Sequence, residues 1–187
     1  MKIAELTKPK TIFLDPKAIL RAVHLRAGDH VVDLGCGGGY FVLEAARQVG
    51  SDGLVFGVDI LPSALSAVAS RARLYNLFNV RTVWSNAEVH GGAHQIPDHS
   101  IDTVLMVQLL SQTNKRRPII HEATRMAKDH ATLLVVDWRP GHGYRFGPSV
   151  VHCLDERNVV SLAAADGWQP VKTFAAGPYH FGTILQR

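Results

Sequence analysis

Short apolar runs alternate along this chain with stretches whose apolar residues recur every three or four positions. A run of the first kind reads as a buried strand, and one of the second as a helix with one covered face. Asp15-Pro16 offers an N-cap followed by proline at the first helical position. Ile19, Leu20, Val23 and His24 then share a face, which predicts a helix over about 16–25, ended by Ala27-Gly28-Asp29. His30 to Leu34 is the first predicted strand, and Phe41, Val42, Ala45, Ala46 and Val49 form the next helix face, with Gly50 as its C′ residue. Leu54 to Asp59 is a continuous apolar run that ends in an acid, the second strand. Pro62 opens a helix whose predicted inner face is Leu61, Leu65, Val68, Ala72 and Tyr75. Val80 to Trp84 and Ile101 to Val107 are strands three and four, separated by a polar loop over 89–100. Arg116 to Met126 places Ile119, Ile120, Ala123 and Met126 inward, and Ala127 to His130 reads as a turn into strand five, Thr132 to Asp137. Asp155 caps a last helix with Val159, Val160, Leu162 and Ala163 inward and Gly167 as its stop. Trp168 to Ala175 and Tyr179 to Leu185 are strands six and seven, with Gly177-Pro178 turning the chain between them.

Strands that alternate with helices predict an α/β fold, a three-layer αβα sandwich around a Rossmann-like, seven-stranded, mostly parallel sheet. The 187 residues fit one domain over 1–187, with 1–14 as an N-terminal extension. Within that extension Phe13 is either a core anchor or part of a segment that folds over a ligand. Hydrophobic content of 47% against 19% charged residues is that of a soluble globular chain. No apolar run is long enough to span a bilayer, and Met1 to Leu6 lacks the apolar stretch of a signal peptide. Cys36 and Cys153 are too few for a disulfide scaffold, so a reducing cytoplasm is expected. A net charge of +4 favours anionic partners only mildly, because the basic residues are dispersed; the tightest group is Lys115-Arg116-Arg117. His90, His94 and His99 sit in the polar loop without a recognisable ligand pattern, and no metal is expected.

The candidate chemistry lies at Val31-Val32-Asp33-Leu34-Gly35-Cys36-Gly37-Gly38-Gly39-Tyr40-Phe41. This is a strand, a glycine turn and a helix start, the opening of a βαβ unit. A dinucleotide site asks for G-x-G-x-x-G and a pyrophosphate on the helix N-terminus. Gly35 and Gly37 fit, but Tyr40 holds the third position, and Asp33 would repel the phosphates. A cationic ligand turns the same carboxylate into an asset. The pattern Asp-x-Gly-x-Gly-x-Gly resembles the first motif of class I methyltransferases that use S-adenosylmethionine (SAM), a sulfonium and ammonium cation. Asp59 lies 20 residues beyond Gly39 at the end of the second strand. There it either accepts hydrogen bonds from both ribose hydroxyls or caps the helix that follows. Asn86-Ala87 stands where the resembling family often has an acid before a small residue. Its amide oxygen either meets the adenine amine or makes an Asx turn. The resemblance implies a cofactor-binding set of Asp33, Gly35, Cys36, Gly37, Gly39, Asp59, Ile60, Asn86, Ala87 and Gln108, and it implies a last strand inserted antiparallel between strands five and six.

The resemblance covers about residues 12–187 and is closest to the compact ubiquinone- and menaquinone-biosynthesis group. It departs from the family in two places. Val107-Gln108-Leu109-Leu110 replaces the Asn/Asp-Pro-Pro-aromatic grip of amino-group methyltransferases, which argues against an exocyclic base amine as acceptor. Ala127 to His130 replaces a Lys-Pro-Gly-Gly turn. Gln108 is either a loop residue beside the cofactor or a strand cap. No catalytic base is obligatory, because the sulfonium methyl is already electrophilic; His180, Tyr179 and His142 are the candidates. The loop from Trp138 to Pro148 reads as acceptor recognition or as a plain connection. A small-molecule acceptor is expected, with RNA and protein left open, and oligomeric state carries no signature. Two other classes remain: a non-catalytic SAM-fold binding protein and an NAD-type oxidoreductase.

Overall fold

The computed structural model describes residues 14–140, 148 and 152–187. The Thr11-to-Phe13 segment, His142 and most of the 138–148 loop lie outside the described residues. Five helices are described: α1 (Pro16–Leu20), α2 (Tyr40–Val49), α3 (Pro62–Leu74), α4 (Arg116–Met126) and α5 (Glu156–Ala164). Seven strands accompany them: β1 (His30–Leu34), β2 (Leu54–Asp59), β3 (Val80–Trp84), β4 (Ile101–Val107), β5 (Ala127–Trp138), β6 (Gln169–Ala175) and β7 (His180–Gln186). They form one sheet in the order β3-β2-β1-β4-β5-β7-β6.

The neighbours from β3 to β5 pair in parallel, while β7 runs antiparallel to both β5 and β6. The cause is local. A short turn with Gly177 at φ 89° joins β6 to β7, and so tight a link allows only an antiparallel pair. The α5 crossover carries β6 one place past β5, and β7 fills the slot between them. The expected insertion of the last strand is therefore present.

Side chains alternate across the strands and split the core in two. Val31, Val55, Leu105 and Leu134 face the layer of α1, α2 and α3, packing with Leu20, Phe41, Val42 and Val68. Val32, Val58, Val104 and Leu133 face the opposite layer, with Ile119, Ile120, Met126, Val159 and Trp168. Both end caps predicted from aspartates form. Asp15 accepts from Ala18 N at 3.1 Å, and Asp155 makes a reciprocal capping box with Asn158.

Three sequence expectations are corrected. The first helix stops at Leu20, continues as a 3-10 turn over Arg21–Val23, and breaks where His24 takes φ 52°, so His24 is exposed rather than inward. Leu61 and Tyr75 are exposed at 58% and 52%, because they lie at the two ends of α3 beyond the reach of the sheet. Arg47 covers the Tyr75 ring at 4.9 Å. The predicted turn Ala127 to His130 belongs to β5: Ala127 pairs with Ile101, and a bulge absorbs the register shift before Thr132 meets Thr103. Lys128 is tied there to Asp102 at 2.8 Å, which in turn accepts from His30 N of β1.

Candidate active site

The strand order reverses direction between β1 and β4, and open sheets of this kind bind ligands beyond the strand carboxyl ends at that switch. Asp33 ends up at this edge of β1. The glycine turn then folds back onto β2: Gly35 N and Cys36 N donate to Val58 O at 2.8 and 2.9 Å. Gly39 N closes the turn on Cys36 O at 2.8 Å. Gly35, Gly37 and Gly39 all have positive φ, at 72°, 48° and 76°. A Cβ on Gly35 would sit 2.8 Å from Leu109, and one on Gly39 would sit 2.5 Å from Val68, so both also need the space. At Gly37 a Cβ would meet nothing within 4 Å, because the backbone there faces an open cleft.

Asp59 organises the turn from β2. Its carboxylate accepts from Gly37 N at 2.8 Å and from Leu61 N at 2.9 Å. It does not cap α3, whose N-cap is Leu61 with no side-chain bond. Arg71, on α3, donates to Gly38 O at 2.6 Å and lies over the Tyr40 ring at 5.2 Å, pinning the turn from outside. Nothing in the sequence signals that role, since Arg71 is distant in the chain and reads as one more exposed helix cation.

Two joined cavities flank the turn and share Gly35, Gly37 and Gln112 as walls. One, of about 440 Å³, is lined by Asp33, Cys36, Tyr40, Phe41 and Gln108. The other, of about 390 Å³, is lined by Asp59, Ile60, Asn86, Ala87 and Leu109. Nine of the ten expected cofactor positions thus fall on one continuous cleft; Gly39 does not line it and packs on Val68 instead. Gln112 and Leu109 were not anticipated, because they lie in an irregular turn whose sequence carries no motif. Asn86 Oδ1 accepts from Glu88 N at 2.9 Å, so the Asx turn is present.

Electrostatics distinguish the two halves. Asp33 is buried, and its Oδ1 has no partner. Burial first, and then the charge of Asp59, push its carboxyl up to about 8. Burial, with Asp33 and Asp59 behind it, also raises the Cys36 thiol well above its ordinary range, so it is no nucleophile at neutral pH. Gln108 has φ 53°, donates its backbone N–H to Val136 O at 2.7 Å, and places Nε2 2.7 Å from His180 Nε2. His180 is buried against Trp138, ring centroids 4.4 Å apart, and burial lowers its imidazole to about 4. A neutral imidazole accepts from the amide, so Gln108 links His180 to the cleft. Tyr179 is half-buried, and its carbonyl accepts from Arg139 N at 3.0 Å.

A buried acid with an unpaired oxygen beside a glycine turn is compensated by a cation, and the Asp59 carboxylate on the same turn opposes a pyrophosphate. Asp59 keeps lone pairs beyond the two backbone donors, enough for vicinal hydroxyls. The residues present therefore fit SAM. Among the described residues no group of three or more His, Cys, Asp or Glu side chains is placed to hold a metal ion, and no helix is long and apolar enough to cross a membrane.

Comparison with known proteins agrees with this geometry. The chain is 36% identical over 78 residues to the aklanonic acid methyltransferase DauC of Streptomyces sp. (strain C5), covering 42% of this chain and 34% of the relative. It is 26% identical over 114 residues to the demethylmenaquinone methyltransferase of Geobacillus stearothermophilus, covering 60% of this chain and 46% of the relative. The matched stretches thus span less than half the length of these curated relatives. A SAM-dependent methyltransferase from Aquifex aeolicus shares the fold with a TM-score of 0.82 at 23% identity, over 92% of this chain and 89% of that one. A family model described as Methyltransferase domain matches residues 25–165. With three-quarters of its length under that model, the chain belongs to the class I SAM-dependent methyltransferases.

Proposed function

We propose that this protein transfers a methyl group from SAM to a small-molecule acceptor. The observation that carries the proposal is Asp33, buried and unpaired at the floor of the Gly35–Gly37 cleft. SAM, when bound, supplies a methyl group already activated by its sulfonium, and transfer is an in-line displacement. The protein's part is alignment and exclusion of water. Asp33 opposes the ammonium end in the cavity it shares with Gln108. Asp59 accepts the ribose hydroxyls while holding Gly37. Asn86 Oδ1, already accepting from Glu88 N, turns its second lone pair to the adenine amine, and Ile60 and Ala87 wall the base. His180 is neutral and engaged with Gln108, so its role is to hold that amide rather than to remove a proton. This suits an acceptor atom that attacks without a protein base. The relatives named for aklanonic acid and demethylmenaquinone support a small organic acceptor. We place the reaction in the cytoplasm, where Cys36 and Cys153 remain thiols.

Titration calorimetry with SAM tests the cleft. Asp59→Ala weakens binding by about 1–3 kcal/mol through the lost charged hydrogen bonds. Unchanged affinity removes Asp59 from the ribose role. Isotope from methyl-labelled SAM, incubated with cell extract, is expected in the small-molecule fraction. Label confined to RNA or protein overturns the acceptor class, and binding without any labelled product favours a non-catalytic binding protein.

A further inference from the structure

Among the described residues, Asp33 is a buried carboxyl with an unpartnered oxygen. It is 2% exposed, and its Oδ1 has no hydrogen-bond partner. No ion pair reaches it among the described residues. The groups around it give it no counter-charge. From β2, Asp59 faces it across Gly37 with a like charge. From the turn, the Cys36 thiol stays protonated. From α3, the Arg71 guanidinium is spent on Gly38 O and the Tyr40 ring. From β4, the neighbouring residues are Leu105, Val107 and the neutral Gln108. A buried carboxylate without a cation or a hydrogen bond gives up its charge by taking a proton. Yet Asp33 is one of the residues that line the cavity assigned above to the cationic end of SAM.

We propose that donor binding is coupled to proton release: the ligand-free protein holds Asp33 as the neutral acid near neutral pH, and the ligand's ammonium displaces that proton as it docks. The proposal rests on the SAM reading above and deepens it. Burial and the charge of Asp59, which push the Asp33 carboxyl up to about 8, support it. The consequence is a cleft whose affinity follows pH without any change of shape. Below about pH 8, apparent affinity falls roughly tenfold for each further unit of acid, since the proton and the ligand's ammonium compete for one carboxylate charge. At a fixed donor concentration, a slightly alkaline shift raises the occupancy of the cleft and an acid shift lowers it.

The probe is S-adenosylhomocysteine, which has the ammonium without the sulfonium and so isolates the Asp33 contact. Calorimetry at about pH 6, repeated in buffers of different ionisation enthalpy, counts the protons released, and about one per site is expected. Asp33→Asn is expected to bind with no proton released and with an affinity flat between about pH 6 and pH 8. Carboxyl-carbon NMR of the ligand-free wild type gives an independent reading, in which one resonance, absent from Asp33→Asn, titrates near 8. Binding of S-adenosylhomocysteine with no proton released, or Asp33 titrating in the ordinary carboxylate range, overturns the coupling and leaves the SAM reading intact. No binding of either SAM or S-adenosylhomocysteine at any pH overturns both.

Discussion

Gly37 and Gly39 sit two residues apart with the same sign of φ, yet substitution at each tests a different thing. At Gly39 a Cβ would lie 2.5 Å from Val68 Cγ2, and Val68 is fully buried on the inner face of α3. Gly39→Ala therefore adds about 1–2 kcal/mol of left-handed strain to about 1–3 kcal/mol of overpacking, measured as lost stability to urea. At Gly37 nothing obstructs the new methyl, so Gly37→Ala loses only the strain, about 1–2 kcal/mol. That methyl enters the space between the two cavities, so SAM affinity should fall by more than stability does. A Gly37→Ala protein that binds SAM like the wild type would remove the turn from the cofactor surface.

Residue chemistry also fixes how stability varies with acid. Asp33 binds its proton more tightly folded than unfolded, so the stability it allows is full below about 4, is lost as pH rises, and is gone above about 8. His180 behaves in the opposite sense. Its folded imidazole titrates near 4, below the unfolded value of 6.5, so stability falls as pH drops through that window. Urea midpoints across this range should show Asp33→Asn flattening the alkaline side and His180→Gln the acid side. A wild-type curve that keeps rising through pH 8 would contradict the burial of Asp33.

At the scale of elements, the 90–98 turn is held by a helix rather than by its own sequence. Glu122 of α4 is fully buried and accepts from Gly91 N at 2.6 Å and Ala93 N at 3.3 Å. Arg125, one turn on, donates to Glu122 at 2.8 Å and to Ile96 O at 3.0 Å. Burial works against the Glu122 charge, but the Arg125 and backbone hydrogen bonds outweigh it and keep the carboxyl below its ordinary value. Glu122→Ala leaves two amides without their acceptor and Arg125 with Asp98 as its remaining carboxylate, and a loss of about 1–3 kcal/mol is expected. Because this turn follows Asn86 to Glu88, the same change should slacken the adenosine wall and weaken SAM.

This clamp also marks where the sequence stops being readable. The helix face Ile119, Ile120, Ala123 and Met126 follows from spacing alone, and all four are buried. Glu122 falls on the same side, but an acid in a helix reads as solvated until its partner loop is known. Strand existence was legible because apolar runs bounded by turns have few other uses. Boundaries were not, as at β5, where pairing with Ile101 draws Ala127 to His130 into the ladder through a bulge that no local pattern announces. The glycine turn and Asp59 were legible because both are local to strand ends. Gln112, Arg71 and the Gln108–His180 contact were not, since each depends on strands that meet only after the sheet assembles.

At the scale of the whole molecule, the sheet brings two carboxylates, one from β1 and one from β2, to the same glycine turn. That arrangement predicts which ligands stabilise the fold. A ligand that binds only the native state raises stability by about 2.7 kcal/mol at a hundredfold excess over its Kd, which for a chain of this size moves Tm by roughly 5–11 °C. S-adenosylhomocysteine should give such a rise, larger at pH 8 than at pH 6 if Asp33 must first lose its proton. NAD brings a pyrophosphate to the same turn, where the Asp59 carboxylate that holds Gly37 opposes it and Tyr40 replaces the glycine that a dinucleotide helix needs. It should leave Tm unmoved at any accessible concentration. A thermal scan with each ligand, run on wild type and on Asp59→Ala, decides between them: a rise with NAD and none with S-adenosylhomocysteine would reverse the charge argument on which the site is built.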